Sequence, residues 1–241
     1  MYLSRLMLNP FREGTRTMLH SPQTLHATTH GLFPPVPEAE QMGRFLYRLD
    51  STKHAHVLYV VSRHKPDFTN MKERCGWPQS ELETETVRPY GEFLGSLDSG
   101  QVFHFRFTGN SVHYAKRPGV PGSYFRAPHI TVPQKVKWLG RLAERNGFRM
   151  LSEPSVDSVT ETFVKNETQP APTERATRDR RNLPRPTPAT SPEPGKVRVT
   201  LAKSTFEGTL TVTDPDALRR ALVSGMGKAK AYGCGLMTLS R

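Results

Sequence analysis

Residues 101–107, QVFHFRF, place Phe103, Phe105 and Phe107 at every second position, with His104 and Arg106 between them. Only an extended strand sends alternate side chains to opposite faces. This stretch therefore needs a sheet with an apolar side against a core and a polar side away from it. Other segments add strands. Residues 2–9 are apolar on both faces near their centre, as in a buried strand, and the β-branched run Val57–Val61 reads as a central strand. Residues 81–88 alternate weakly and are expected beside it. Helices are expected between the strands. Ser21-Pro22 reads as an N-cap followed by proline at the first helical position, opening a short helix that ends near Gly31. A second helix is expected over 38–50, where Met42, Phe45, Leu46 and Leu49 have helical spacing. The first 110 or so residues then approach a ferredoxin-like βαββαβ unit with a blurred second helix.

A second set follows. Val136, Leu139, Leu142 and Ala143 share one face of a helix over 133–146. Residues 197–201 and 206–212 alternate as strands, Asp214-Pro215 caps a helix over 215–223, and Leu236–Leu239 closes the chain as a strand. The expected fold class is therefore α+β, with two tandem ferredoxin-like (RRM- or RAMP-like) domains, 1–112 and 113–241. Within the second, Gln169 to Gly195 holds seven prolines, five arginines and no aromatic residue. Such a segment buries too little apolar surface to offset its ordering entropy, so 165–195 is expected as a disordered insertion. Its arginines (Arg175, Arg178, Arg180, Arg181 and Arg185) suit either ordering on a polyanion or a plain flexible tether.

The formal net charge of +12 over 241 residues favours a polyanionic partner, because Lys and Arg neutralise phosphates and release counterions. No run is apolar and long enough to span a bilayer, and Arg5 interrupts the apolar N-terminus, so no membrane partner is expected. Two cysteines, Cys75 and Cys234, make neither a disulfide framework nor a four-Cys zinc site; an intracellular, cytoplasmic setting fits. The sharpest local motif is 225–236, GMGKAKAYGCGL. Gly225, Gly227, Gly233 and Gly235 allow positive φ and close approach of the backbone, and Lys228 and Lys230 add charge. Together they suit a phosphate cradle, or a purely structural turn. The segment is neither a Walker loop nor a dinucleotide fingerprint.

With MYLSRLMLNP at its start and GMGKAKAYGCGLMTLSR at its end, the chain resembles the CasE-type CRISPR repeat-processing endoribonucleases, subunits of type I-E Cascade complexes. Between these ends, the Leu32-Phe33-Pro34 motif, the HVLYV strand, the FRF strand and FEGTLTV before an Asp-Pro-capped helix match as well. The resemblance implies two ferredoxin-like domains and one metal-independent cut at the base of a repeat hairpin. In that reaction a 2′-hydroxyl attacks the adjacent phosphate, giving a 5′-hydroxyl and a 2′,3′-cyclic phosphate. It implies no cofactor. The partners would be the CRISPR repeat RNA hairpin, as precursor and mature guide, and the other Cascade subunits. A non-cleaving, hairpin-binding subunit of the same complex is the alternative.

The family's catalytic histidine lies six residues before the Leu of the LFP motif, which here is His26, on the helix opened by Ser21-Pro22. Histidine suits proton transfer near neutral pH. The bland alternative is a structural histidine. His20 and His30 are possible auxiliaries. Some relatives carry a tyrosine where Gln23 stands here, and glutamine can orient a hydroxyl but cannot serve as a base. His26 and His30 also have the i, i+4 spacing of a helical zinc pair, but Ala27 stands where a metalloprotease glutamate would be and no third ligand is evident. Arg63, Lys65, Lys116, Arg117, Arg126, Lys228 and Lys230 are candidate phosphate contacts or ordinary solvated charges. Tyr114, Tyr124 and Phe125 can stack bases or pack at a rim. His104 and Arg106 suit RNA contact or the interface between domains.

Overall fold

The computed structural model describes residues 1–34, 45–52, 55–116, 119, 122–166 and 196–241. Four strands form the first sheet: β1 (Tyr2–Leu8), β2 (Leu46–Ser51), β3 (His56–Ser62) and β4 (Glu85–Pro89). They are antiparallel in the order β2-β3-β1-β4. Helices α1 (Glu13–Leu19) and α2 (Pro22–His30) connect β1 to β2, and α3 (Thr69–Cys75) connects β3 to β4. This is the ferredoxin-like arrangement. In β1, Ser4, Leu6 and Leu8 are buried. Leu6 and Leu8 join Met18 and Leu25 of the helices, with Leu58, Val60, Phe68 and Met71, in one core. Each such large apolar side chain contributes roughly 1.5–3 kcal/mol on burial.

After α4 (Gly91–Gly95), the second sheet is built from β5 (Val102–Asn110), β8 (Phe148–Met150), β10 (Lys196–Val212) and β11 (Met237–Ser240), in the order β11-β5-β10-β8. Its connectivity repeats that of the first sheet. Between β5 and β8 come the hairpin β6 (Val112–Lys116) and β7 (Tyr124–Pro128), then α5 (Val132–Arg145). β9 (Ser155–Asn166) pairs with the first part of β10, and α6 (Pro215–Ser224) precedes β11. Phe103, Phe105, Phe107, Leu139, Phe148, Phe206 and Leu218 form the second core. Local chemistry starts the helices where expected. Thr131 and Gln134 make a capping box for α5, and the Asp214 side chain accepts the Ala217 N–H at the head of α6.

Four expectations need correction. The helix expected over 38–50 is replaced, within its described part, by strand β2; residues 38–44 lie outside the described residues. Leu46 packs in one core and its neighbour Tyr47 in the other, so apolar residues sit on both faces of β2 and mimic helical spacing. The strand expected over 81–88 is the shorter β4, which pairs with β1 rather than β3, because the α3 crossover carries the chain to the far side of β1. The QVFHFRF strand, expected to complete the first unit, is β5, hydrogen-bonded between β10 and β11 in the second sheet. The separate strands 197–201 and 206–212 are one continuous β10, held along its length by β9, β5 and β8. The expected insertion falls almost wholly among residues outside the description.

The two sheets are joined through Arg48 of β2, which is 1% exposed. Its guanidinium makes a two-pronged pair with Asp50 (2.7 and 2.9 Å) and donates to the Arg106 carbonyl (2.7 Å) and to the Thr238 hydroxyl (2.9 Å) of the second sheet. It also lies 5.0 Å from the Tyr59 ring centre. Arg106 of β5 pairs with the same Asp50 and with Glu207, placing it at the junction of the units, as one of its two expected roles required. Among the described residues, no helix is long and apolar enough to cross a membrane. Cys75 and Cys234 are both free and buried.

Candidate active site

Helix α2 starts where the Ser21 side chain accepts the Thr24 N–H (3.1 Å), with Pro22 in its first turn, and closes with the Gly31 N–H on the Ala27 carbonyl (3.2 Å). Leu25 and Thr29 turn into the core, which leaves His26 on the flank facing the second unit. There His26, Phe45, Tyr47, Arg126 and residues 227–231 line a cleft of about 650 Å³. The imidazole is stacked near Phe45 (6.0 Å) and Tyr47 (6.1 Å) and edge-on to Tyr232 (6.5 Å).

The opposite wall is the glycine-rich loop. Gly225 has φ 72°, and a Cβ there would come within 2.7 Å of Leu46; Gly233 has φ 77°, and its Cβ would press the Tyr47 ring at 3.2 Å. Both glycines are required for the loop to lie against β2. The loop is pinned by the Met226 N–H on the Gly235 carbonyl (3.0 Å) and the Gly235 N–H on the Thr108 carbonyl (2.7 Å). The Tyr47 hydroxyl donates to the Ala231 carbonyl (2.8 Å), so one aromatic residue both stacks on His26 and holds the loop opposite it. Lys230 donates to the Ser224 carbonyl (2.7 Å). Lys228 donates to the Tyr114 hydroxyl (2.7 Å) and lies over the same ring, tying the loop to the β6–β7 hairpin. The Lys228 and Arg126 side chains, by hydrogen bonding and charge, hold the Tyr114 phenol below its ordinary pKa.

His26 is half-buried, and its Nδ1 is buried without a hydrogen-bond partner. Burial first, and the neighbouring His30 second, push the imidazole below its ordinary value of 6.5. At neutral pH it is therefore uncharged, with one nitrogen able to accept a proton. Burial pushes the Tyr47 phenol far above its ordinary value, which leaves it a donor and not a base.

The expected site residues divide. Gly227, Lys228, Lys230 and Arg126 line the cleft with His26. Gly225, Gly233 and Gly235 shape the loop behind it. His30 is exposed one turn beyond His26, its ring 6.5 Å away. Gln23 is exposed on α2 outside the cleft lining. His20 is exposed and lines a different groove, with Arg106 and Lys203. Arg63, Lys65 and Lys116 are exposed and outside the lining, and Arg117 falls outside the described residues. Tyr114, Tyr124 and Phe125 are exposed on the hairpin. No group of three or more His, Cys, Asp or Glu side chains able to hold a metal comes together among the described residues. Sequence reading misses Phe45, Tyr47 and Tyr232. The alternation of Phe45 and Tyr47 is visible, but the expected helix absorbs it.

Comparison with known proteins gives concordant matches. A family model described as CRISPR associated protein matches residues 1–241. The CRISPR-associated endoribonuclease Cse3 of Thermus thermophilus is 30% identical over 247 residues, covering 100% of both chains. A structure of Thermus thermophilus Cse3, bound to an RNA representing a pre-cleavage complex, matches with a TM-score of 0.65 at 23% identity. That match covers 100% of this chain and 98% of the other. A chain of a CRISPR RNA-guided surveillance complex in a pre-nicking state matches with a TM-score of 0.60 at 19% identity, covering 100% and 99%.

Proposed function

This chain belongs to the family of CRISPR-associated proteins, and from that membership we propose that it is an endoribonuclease cutting CRISPR precursor RNA at the base of the repeat hairpin. The observation that carries the proposal is the cleft itself. An uncharged, half-buried imidazole faces a glycine loop flanked by Lys228, Lys230 and Arg126. The full-length Cse3 relative is an endoribonuclease, which supports the same reading.

In this mechanism the scissile phosphate sits against the loop. The open nitrogen of His26 takes the proton of the 2′-hydroxyl as its oxygen attacks phosphorus. The bond from phosphorus to the 5′-oxygen breaks, and the departing oxygen takes a proton from water at the open side of the cleft. The attacking and leaving oxygens lie on opposite sides of phosphorus, so one imidazole serves only one of them. Gln23 stands away from the cleft, and Tyr47 spends its proton on Ala231. Lys228 and Arg126 meet the charge that builds on the phosphorane oxygens. The chemistry asks for no metal ion. The product remains bound, held by the same cationic groups. The chain then sits with the other subunits of a guide-RNA complex, as the likeness to a surveillance-complex chain supports.

The test is incubation of the protein with end-labelled cognate repeat RNA in excess chelator. The expected result is a single cut leaving a 5′-hydroxyl and a 2′,3′-cyclic phosphate. Cleavage abolished by the chelator would contradict the metal-free mechanism. Tight binding without any cut would identify a non-cleaving, hairpin-binding subunit instead.

A further inference from the structure

Beside the His26 cleft lies a second hollow of about 420 Å³, between α5 and the β6–β7 hairpin. It shares Arg126, Gly227 and Lys228 with the cleft, so the two are contiguous. Its apolar floor is Val112, Trp138 and Leu142, and its walls carry Arg141, Arg145, His113 and His129, with no carboxylate among the described lining residues. Arg141 and Arg145 lie one helical turn apart on α5, joined by the Arg145 Nε donating to the Arg141 carbonyl (3.1 Å). Like charges at that spacing destabilise a helix unless an anion answers them. His113 and His129 stack at 4.7 Å, and the His129 Nε2 is buried with no hydrogen-bond partner.

We propose that this hollow is a second phosphate subsite, which holds a backbone phosphodiester of the bound RNA beside the cleaved one, between Arg141, Arg145 and the His113–His129 pair. The inference rests on the RNA-cleaving reading above and adds a place where the strand continues. The apolar floor suits the sugar attached to that phosphate. Burial, then His113, then Arg141 keep His129 below its ordinary pKa. The groups around it are His113 and Tyr114 from β6, Arg126 from β7, Arg141 and Arg145 from α5, and Lys228 from the loop; each is cationic or neutral. An entering phosphate supplies the missing negative charge, so binding takes up a proton and tightens as pH falls from 8 to 6.

RNA affinity is to be measured by fluorescence anisotropy in the full-length His26→Ala protein, where the strand stays intact. Adding Arg141→Gln and Arg145→Gln should weaken binding roughly tenfold and make the salt dependence shallower by about one log–log unit. Adding Arg16→Gln and Arg88→Gln, two exposed arginines elsewhere, should change affinity less than about twofold. Replacing both histidines by Asn should remove the tightening at low pH. Equal effects of the two arginine pairs, or none from the first, would overturn the subsite while leaving the RNA reading intact. So would His129 resonances that move with millimolar inorganic phosphate but not with RNA. A His26→Ala protein with no affinity for the repeat would instead overturn the parent reading, and the subsite with it.

Discussion

His26→Ala cleaves the cognate repeat roughly 10²–10⁴-fold more slowly than wild type in single-turnover assays, while its affinity for the RNA stays within a few-fold. The rate falls because the open proton acceptor of the cleft is gone. The affinity holds because Lys228, Lys230 and Arg126, not the imidazole, meet the phosphate charge. The pH profile carries the same signature. Burial and His30 hold His26 below its ordinary pKa, and in the proposed mechanism its neutral form is the base. The wild-type rate therefore falls on the acid side with a midpoint below the ordinary imidazole pKa of 6.5, as His26 gains its proton. The alanine variant lacks this acid limb. Cleavage by His26→Ala at the wild-type rate would remove the histidine from the chemistry.

Arg48→Ala has the largest expected effect on stability. The guanidinium is 1% exposed and bonded on every side, so its removal strands the Arg106 carbonyl, the Thr238 hydroxyl and half of the Asp50 pairing. Breaking one side of a buried ion pair costs about 3–5 kcal/mol. At about 2–4 °C per kcal/mol for a chain of this size, the melting temperature drops by roughly 6–20 °C. The double variant Arg48→Met/Asp50→Leu recovers part of that loss, because it removes both charges, although Arg106 then loses its Asp50 contact. Thermal melts of the three proteins measure this directly. An unchanged melting temperature in Arg48→Ala would mean that the two sheets are not joined through this side chain. The loss should extend to cleavage, since β2 carries both Arg48 and the Tyr47 that holds the loop opposite His26.

Features encoded within a few residues are legible in the sequence. The Phe103–Phe107 alternation, the Ser21 and Asp214 caps and the closing strand each follow from local periodicity or a local hydrogen bond. What depends on distant partners is not. Period two marks β5 as a strand, but its place between β10 and β11 is decided by residues about a hundred positions downstream, such as Phe206 opposite Phe107. β2 is hidden because it is buried on both faces, and with it goes Tyr47, the residue linking histidine and loop. The candidate site comes from spacing to the LFP motif and from glycine content. Its electrostatics do not, because the low proton affinity of His26 arises first from burial, beside Phe45 and Tyr47 in a stretch that reads as a helix, and then from His30. Gln23 looks like a gap in the catalytic set from sequence; in the fold it stands outside the cleft.

The most direct measurement is a crystal structure of the protein with a repeat hairpin carrying 2′-deoxyribose at the scissile nucleotide, which keeps the strand uncut. The expected structure places an imidazole nitrogen of His26 within about 3 Å of where the 2′-oxygen would be, with the scissile phosphate against residues 227–231. A scissile phosphate seated elsewhere, such as the groove beside His20, with His26 facing no part of the RNA, would contradict it.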